Sequence, residues 1–381
     1  MAGLELCEPR HLYNILNQHR RCPRLAEPHY LCLLGEPAGR GRRPGEMGPG
    51  VSGLRGRAHV TSYNCWGPAV GAFLLSHFRC HDPVPLHLPS YVRTQREYDE
   101  SHIITARRIE QSPTGEYLVP DSEELGCVRY CVVYDCETSS LDCCDYEEEE
   151  KEKGSSASSE VENSDSSSVC SQNAEEGTAV RYARSLEQFT RHPVLVLRGG
   201  YKCFSACYHF LRTQKILWMP QELENFQPYP VEILPAKLYM GNFKQACDAQ
   251  IQKDLKIKAQ VNISEQHATL FAEGSKYLHV PVPDSLEADL FSTFGTICHF
   301  IDAQLDRGAV LVFSSLGISR SSTVTIAYLM HSCQFSLKRA WDYVLKCKTN
   351  MRPHRGFVKQ LSDWETKIYG TTITDVSEPN Y

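Results

Sequence analysis

Apolar positions along this chain fall into short unbroken runs set between segments of helical period. In the first half the runs are "HYLCLL" (29–34), "RYCVVYD" (129–135) and "HPVLVLRGGYKCF" (192–204). Between them, "REYDESHIITARRI" (96–109) reads as a turn into a helix start and residues 179–190 as a further helix. In the second half "KLYMGN" (237–242), "AQVNIS" (259–264), "KYLHVPV" (276–282) and "AVLVF" (309–313) read as strands. Leu290, Phe291, Phe294, Ile297, Ile301 and Leu305 mark one helical face, and Phe357, Leu361, Trp364 and Ile368 another. Strands that are apolar on both faces and separated by helices predict parallel sheets covered on both sides. The fold class expected is therefore α/β, in two domains, residues 1–213 and 228–372.

Two stretches interrupt the pattern. Residues 36–95 are rich in Gly, Pro and Arg, and a structureless segment of that length is rare inside a compact domain. Because the segments on either side complete one another, it reads as an insertion. Residues 139–178 hold twelve acids against Lys151 and Lys153, a surplus larger than the net charge of −6 carried by the whole chain, so the remainder is mildly basic. A Ser-rich, acid-rich stretch buries too little apolar surface to offset its ordering entropy, and a disordered loop is expected. Ser159, followed by Glu160 and Glu162, suits an acid-directed kinase, so the loop reads either as a solubilising spacer or as a phosphorylated regulatory segment.

At 381 residues, 41% hydrophobic and 23% charged, the chain has the composition of a soluble globular protein. No apolar run reaches the roughly 18 residues that span a bilayer, which argues against membrane insertion. The amino end lacks an apolar signal core and mixes Arg and His with Glu5 and Glu8, so an intracellular, cytoplasmic location is expected, with a mitochondrial pool left open. Seventeen cysteines fit a reducing compartment as scattered thiols; no C-x-x-C occurs, and a metal site on Cys203, Cys207 and His209 is the weaker alternative. No cofactor, metal or nucleic-acid partner is expected.

The chemistry points to "GAVLVFSSLGISRSSTVTIAYLM", Gly308 to Met330. A strand, a small polar loop with Gly317 and an apolar helix beginning near Ser319 to Ser321 would turn successive N–H groups inward and add the helix's positive end. An anion fits such a cradle, made of Ser314, Ser315, Leu316, Gly317, Ile318, Ser319, Arg320 and Ser321. The planar fork of Arg320 could clamp two oxygens of a phosphate.

This loop, with "LYMGN", "VNIS", "VPVPDS" and the tail "AWDYVLKCKTNMRPHRGFVKQLSDWE", resembles dual-specificity phosphatases of the MAP-kinase phosphatase type, within the protein tyrosine phosphatase superfamily, over residues 228–370. Their loop reads His-Cys-x-x-Gly-x-x-Arg-[Ser/Thr]. The resemblance implies that the Cys attacks phosphorus, the Arg holds the equatorial oxygens and an Asp on a separate loop protonates the leaving group. Gly317, Arg320 and Ser321 match, and Asp284 falls at the general-acid position. The first half resembles a rhodanese-like domain, which often precedes such a catalytic domain. Glu97, Tyr98, Ser101, His102 and Ile103 match its E-Y-x-x-x-H-I stretch, and "VLRGGYKCF" its L-x-G-G-[FY]-x-x-F stretch. Where that family's active form has a Cys followed by Gly and Arg, this chain reads "DCETSSLDCCDYEEEE" (135–150), with Cys136 but no Gly or Arg and a run of acids instead, so sulfur transfer is not expected. The insertion also replaces the Asp-x-Arg that follows the first core strand in that family, which puts the folding of the domain in doubt.

The departures in the second domain decide the function. Phe313 stands for the His and Ser314 for the Cys. A thiol is pulled down to a thiolate by a helix N-terminus, whereas a Ser hydroxyl needs a general base, and none is visible beside Ser314. Leu316 replaces a small residue and is expected to crowd the cradle. The combination resembles the serine/threonine/tyrosine-interacting-like (STYX-type) pseudophosphatases. It implies a catalytically inactive regulator of phosphosignalling acting as scaffold, decoy or allosteric partner. Its partners would be phosphorylated proteins, other phosphatases and MAP-kinase or stress-pathway proteins. Two alternatives stay open: a very slow Ser314-dependent phosphatase, and an interaction module that has lost phosphate binding. Arg107 and Arg108, followed by Glu110, form a weak basic patch that reads either as a solvated face or as a kinase-docking site.

Overall fold

The computed structural model describes residues 3–18, 31–35, 87–89, 95–110, 112–114, 116–120, 122–141, 177–215, 227–268, 274–377 and 381. The acidic segment from 142 to 176 and most of the 36–95 stretch lie outside these residues.

The first unit is built from β1 (Leu4–Cys7), α1 (Pro9–Leu16), β2 (Leu31–Gly35), β3 (His87–Pro89), α2 (Gln95–Glu100), β4 (His102–Ile103), β5 (Arg107–Arg108), α3 (Ser122–Cys127), β6 (Tyr130–Tyr134), α4 (Thr178–Leu186), β7 (Val194–Leu197), α5 (Gly200–Cys207) and β8 (Arg212–Thr213). Its main sheet runs β1-β7-β6-β2-β3, with β5 also on β2, and every pairing is parallel. The stretch expected to be structureless between 36 and 95 thus contributes one short strand, β3, in register with β2. Strands β6 and β7 are buried along nearly their whole length, as their unbroken apolar sequences require.

The motif residues of this half build contacts among themselves. Tyr98 and His102 stack with ring centroids 4.0 Å apart, and the Tyr98 hydroxyl donates to Ala106 O at 2.5 Å. Tyr201 donates to Ser101 Oγ at 2.6 Å. Gly199 and Gly200 have φ of 71° and 51°, and a Cβ on Gly200 would meet the Asp135 carbonyl at 2.5 Å, so the glycine pair lets α5 press against the loop after β6.

The second unit comprises β9 (Val231–Leu234), β10 (Leu238–Asn242), α6 (Phe243–Ala246), α7 (Ala249–Asp254), β11 (Ile257–Asn262), β12 (Lys276–His279), α8 (Phe291–Leu305), β13 (Ala309–Ser314), α9 (Arg320–Ser332), α10 (Leu337–Cys347) and α11 (Arg355–Tyr369). Its sheet runs β12-β11-β13-β10-β9, parallel except for the β9 edge. The strand read through Val282 ends at His279, and the chain leaves the sheet as an extended segment toward Asp284. Helices α8, α9, α10 and α11 bury Phe294, Ile297, Leu329, Trp341, Phe357 and Leu361 in one apolar cluster with β10, β11 and β13.

A second cluster crosses the boundary between the units. It joins Leu12 and Tyr13 of α1 with Phe204 of α5, Tyr239 of β10, Leu311 of β13 and Phe313, so the first helix is packed as part of the second unit's core.

Candidate anion-binding site

Strand β13 is central in its sheet, and the turn into α9 leaves from its carboxyl end, where open α/β sheets place their ligands. Ser314, the last strand residue, is 2% exposed and stands opposite Asn242 in the register with β10. Gly317 has φ of 70°, and a Cβ there would sit 2.5 Å from the Gly241 carbonyl. Any side chain would push the loop off β10, so the glycine is required twice over.

The loop's carbonyls are drawn outward. Ser315 O accepts from Phe243 N at 3.4 Å, and Ile318 O accepts from Arg352 N at 2.9 Å. Among the described residues no backbone hydrogen bond leaves the N–H groups of 315–319, so these donors are open to an anion, as a nest would need. Helix α9 starts at Arg320, with Ser319 as its flanking residue, and its positive end faces the same loop. Ser321 is fully buried; its hydroxyl accepts from Ser314 Oγ at 3.2 Å.

Arg320 is 5% exposed. Its Nη1 donates to Val282 O at 2.7 Å and its Nη2 to Ser315 Oγ at 3.1 Å. Its Nε is buried without a hydrogen-bond partner, although Asp284 Oδ2 lies 3.5 Å away. That pair is an ion pair by distance and not a hydrogen bond by geometry. Arg320 thus keeps one desolvated N–H without a hydrogen bond, a donor that an oxyanion could satisfy.

Asp284 comes from the extended segment after β12. Its Oδ1 accepts from Ser319 Oγ at 2.9 Å and stands 3.9 Å from His354 Nε2. His354 flanks the start of α11, where its Nδ1 accepts from Phe357 N at 3.3 Å, which puts the ring proton on Nε2. Burial lowers the His354 pKa, opposed by the Asp284 carboxylate and the Ser285 backbone.

The predicted site residues therefore converge, with one difference. Leu316 was expected to crowd the cradle, but it is 67% exposed and so stands largely in solvent. With Gly317 in the left-handed region, the chain turns so that the preceding side chain faces solvent. Exposed Leu286, two residues after Asp284, adds a second apolar group on the facing segment. Sequence reasoning missed Ser315 as a partner of Arg320, and it missed His354 and Arg352 altogether. The only signal was their place in "TNMRPHRGF", just before a helix. Phe313 is fully buried and meets Phe243 edge-on at 6.0 Å, so the ring replacing the His belongs to the core that crosses the boundary. Cys203 and Cys207 are exposed on α5, and among the described residues no group of three potential ligands is placed to hold a metal.

Residues 238–367 match the family described as "Dual specificity phosphatase, catalytic domain". The chain is 40% identical over 144 residues to dual specificity protein phosphatase 5 of Homo sapiens, covering 38% of this chain and 37% of that protein. To dual specificity protein phosphatase 4 of Homo sapiens it is 31% identical over 203 residues, covering 48% of this chain and 51% of that protein. The match thus spans between a third and about half of the length of these curated relatives. Among solved structures, that of the human tyrosine phosphatase-like serine/threonine/tyrosine-interacting protein is similar at 27% identity, covering 36% of this chain and 95% of that one, with a TM-score of 0.34.

Proposed function

From a chain whose residues 238–367 form a dual-specificity phosphatase-type domain, we propose that the protein is a pseudophosphatase of the serine/threonine/tyrosine-interacting-like kind, which binds phosphorylated side chains and does not hydrolyse them. The observation that carries this reading is the pairing of two features of one loop. Arg320 offers a buried, unpartnered Nε to an oxyanion, and the nucleophile position holds Ser314, whose hydrogen-bonding neighbour is another hydroxyl. A Ser hydroxyl attacks phosphorus only when a base removes its proton. Asp284 accepts from Ser319 Oγ and lies 3.5 Å from Arg320 Nε, and Phe313 brings no imidazole. The apolar Leu316 and Leu286 at the mouth suit the side chains that flank a phosphorylated residue.

On the same reading the first unit is a degenerate rhodanese-like domain without sulfur transfer. Its loop after β6 is occupied by an internal anion. Asp135 Oδ1 accepts from Glu137 N at 3.0 Å and Thr138 N at 2.8 Å, while Oδ2 accepts from Thr138 Oγ1 and from Ala179 N at 3.4 Å. With that loop self-satisfied, the domain serves as an interaction surface. Phosphoproteins, other phosphatases and MAP-kinase or stress-pathway proteins are the partners this architecture suits, held as scaffold, decoy or allosteric complex.

The test is direct. Purified full-length protein releases no phosphate from phosphotyrosine or phosphothreonine peptides above a Ser314→Ala control, yet binds them, and Arg320→Met abolishes the binding. Turnover that vanishes in Ser314→Ala would convert the reading to a slow phosphatase. Absent binding would leave only a protein-interaction module.

A further inference from the structure

Arg320 in the cradle already has a carboxylate against it, and that carboxylate has a titratable ring near its second oxygen. Arg320 Nε, Asp284 and His354 Nε2 stand in sequence, with 3.5 Å from Nε to Oδ2 and 3.9 Å from Oδ1 to Nε2. Neither nitrogen has a hydrogen-bond partner of good geometry, although the Ser285 backbone lies close enough to His354 to raise its pKa. Asp284 accepts one hydrogen bond, from Ser319 Oγ at 2.9 Å, and has two further N–H donors within ion-pair range, one on each oxygen, neither hydrogen-bonded to it.

We propose that Asp284 and His354 form a proton-controlled gate on the cradle: neutral His354 leaves Asp284 against Arg320 as a built-in competing anion, and protonated His354 draws it away, freeing Arg320 for a phosphoryl oxyanion. The proposal rests on the anion-binding reading above and adds its regulation.

The surroundings of the imidazole are simple enough to fix the direction. From the segment after β12 it faces the Asp284 carboxylate and the Ser285 backbone, with the Arg320 guanidinium beyond that carboxylate. From α11 it accepts Phe357 N–H on Nδ1, and its ring stacks on Phe357 with centroids 3.7 Å apart. Its chain neighbours Arg352 and Arg355 are exposed. An oxyanion bound on Arg320 adds negative charge close to Asp284, so binding and proton uptake by His354 favour one another. Reciprocity then requires affinity to rise as pH falls through the His354 pKa. Burial sets that pKa below the ordinary value of 6.5 in the free state.

The experiment is calorimetric titration of the full-length protein with sulfate, which keeps its charge between pH 5 and 8 whereas phosphate does not. Natural protein should bind sulfate about three- to ten-fold more tightly at pH 5.5 than at 7.5, with net proton uptake on binding. Asp284→Asn, at a partly exposed position, should bind about ten-fold more tightly at pH 7.5 and lose most of the pH dependence. His354→Asn keeps a side-chain acceptor for Phe357 N while removing the titrating group and its stacking on Phe357; it should show the weak, flat affinity of the closed state. Melting temperatures of the variants report their folding. If natural protein and Asp284→Asn bind sulfate equally at pH 7.5, the gate is wrong and the cradle stands. If neither binds at any pH while both are folded, the cradle reading fails and takes the gate with it.

Discussion

Asn14 and Glu232 exchange two hydrogen bonds: Asn14 Nδ2 donates to Glu232 O at 2.9 Å, and Glu232 N donates to Asn14 Oδ1 at 2.8 Å. The side-chain amide thus pairs with β9 as a neighbouring strand would. The rest of α1 continues the pairing along one helical face. Asn17 Oδ1 accepts from Tyr229 N at 2.8 Å, Tyr13 donates to Pro230 O at 2.8 Å and Arg10 Nη1 donates to Ile233 O at 2.8 Å. An edge strand is a standing liability for pairing with other chains, and a helix of the first unit covers this one. Glu232 adds a polar centre beneath the helix, accepting from Tyr208 at 2.5 Å, Tyr239 at 3.0 Å and Ala236 N at 2.6 Å. Burial and that carboxylate push both tyrosine pKa values up.

Asn14→Ala is therefore expected to cost more than the loss of one surface amide. It leaves the N–H and C=O of Glu232 buried without partners, at about 1–3 kcal/mol per group. Thermal melting and limited proteolysis of the full chain should show lower stability and early cleavage between the units. Asn14→Asp should be worse, because a carboxylate would face the Glu232 carbonyl. Wild-type melting in Asn14→Ala would mean that apolar packing alone holds the helix.

Why the sequence made the Gly317–Arg320 turn legible and hid this interface is a matter of distance along the chain. Gly317 and Arg320 are three residues apart, and the demand for a left-handed turn and an oxyanion clamp is local, so their spacing speaks for itself. Asn14 and Glu232 are linked only by the folded sheet edge, and Asn, Tyr and Arg at helical spacing look like a solvated face until β9 lies against them. His354 was hidden for the same reason, being a helix-capping residue whose second neighbour, Asp284, arrives from another loop. Leu316 was misread because its direction depends on the φ of the following glycine and not on its size.

On the proposed reading, a catalytic nucleophile would be introduced in two steps of unequal structural cost. Ser314→Cys changes one buried atom. Phe313→His puts a polar ring into a fully buried position of the core that crosses the boundary, at a cost on the order of 3 kcal/mol. The double variant should hydrolyse phosphotyrosine peptides and melt lower than natural protein, and adding Asp284→Asn should reduce its rate about 10²- to 10⁴-fold, the usual loss for a general acid. A double variant that is folded, binds phosphopeptide and shows no turnover would place the defect in loop geometry.

Lys348, at the end of α10, is 7% exposed, and burial lowers its pKa from 10.5 to about 8. The unfolded chain holds that proton more tightly, so between pH 8 and 10.5 the folded state gains stability from this group as pH rises, and at pH 7 it carries the full penalty. The shift corresponds to about 3 kcal/mol at most. Lys348→Met, similar in volume and uncharged, should raise the melting temperature at pH 7 by several degrees and by much less at pH 9.5. An equal effect at both values would show that the ammonium is solvated in the folded protein.

Replacing Ser314 by Cys should also weaken the cradle as a binding site. A thiol at this position lies beside N–H groups and a helix N-terminus that pull its pKa down from about 8.5, so at pH 7 it is largely thiolate. A thiolate about 4 Å from a bound dianion repels it by on the order of 4 kcal/mol per unit pair at an effective dielectric near 20, before the loop's dipoles offset part of it. Ser314 stays neutral, so the natural loop should bind tungstate at least as tightly as Ser314→Cys at pH 7, and Arg320→Met should abolish binding in both. Affinity itself varies with His354, but that contribution is common to the two proteins and cancels in their ratio. The ratio should fall toward one as pH drops and the thiolate takes up its proton. Calorimetric titration across pH 5 to 8 reads it, and tighter binding by Ser314→Cys at pH 7 would show that the thiolate's repulsion is fully offset by the loop.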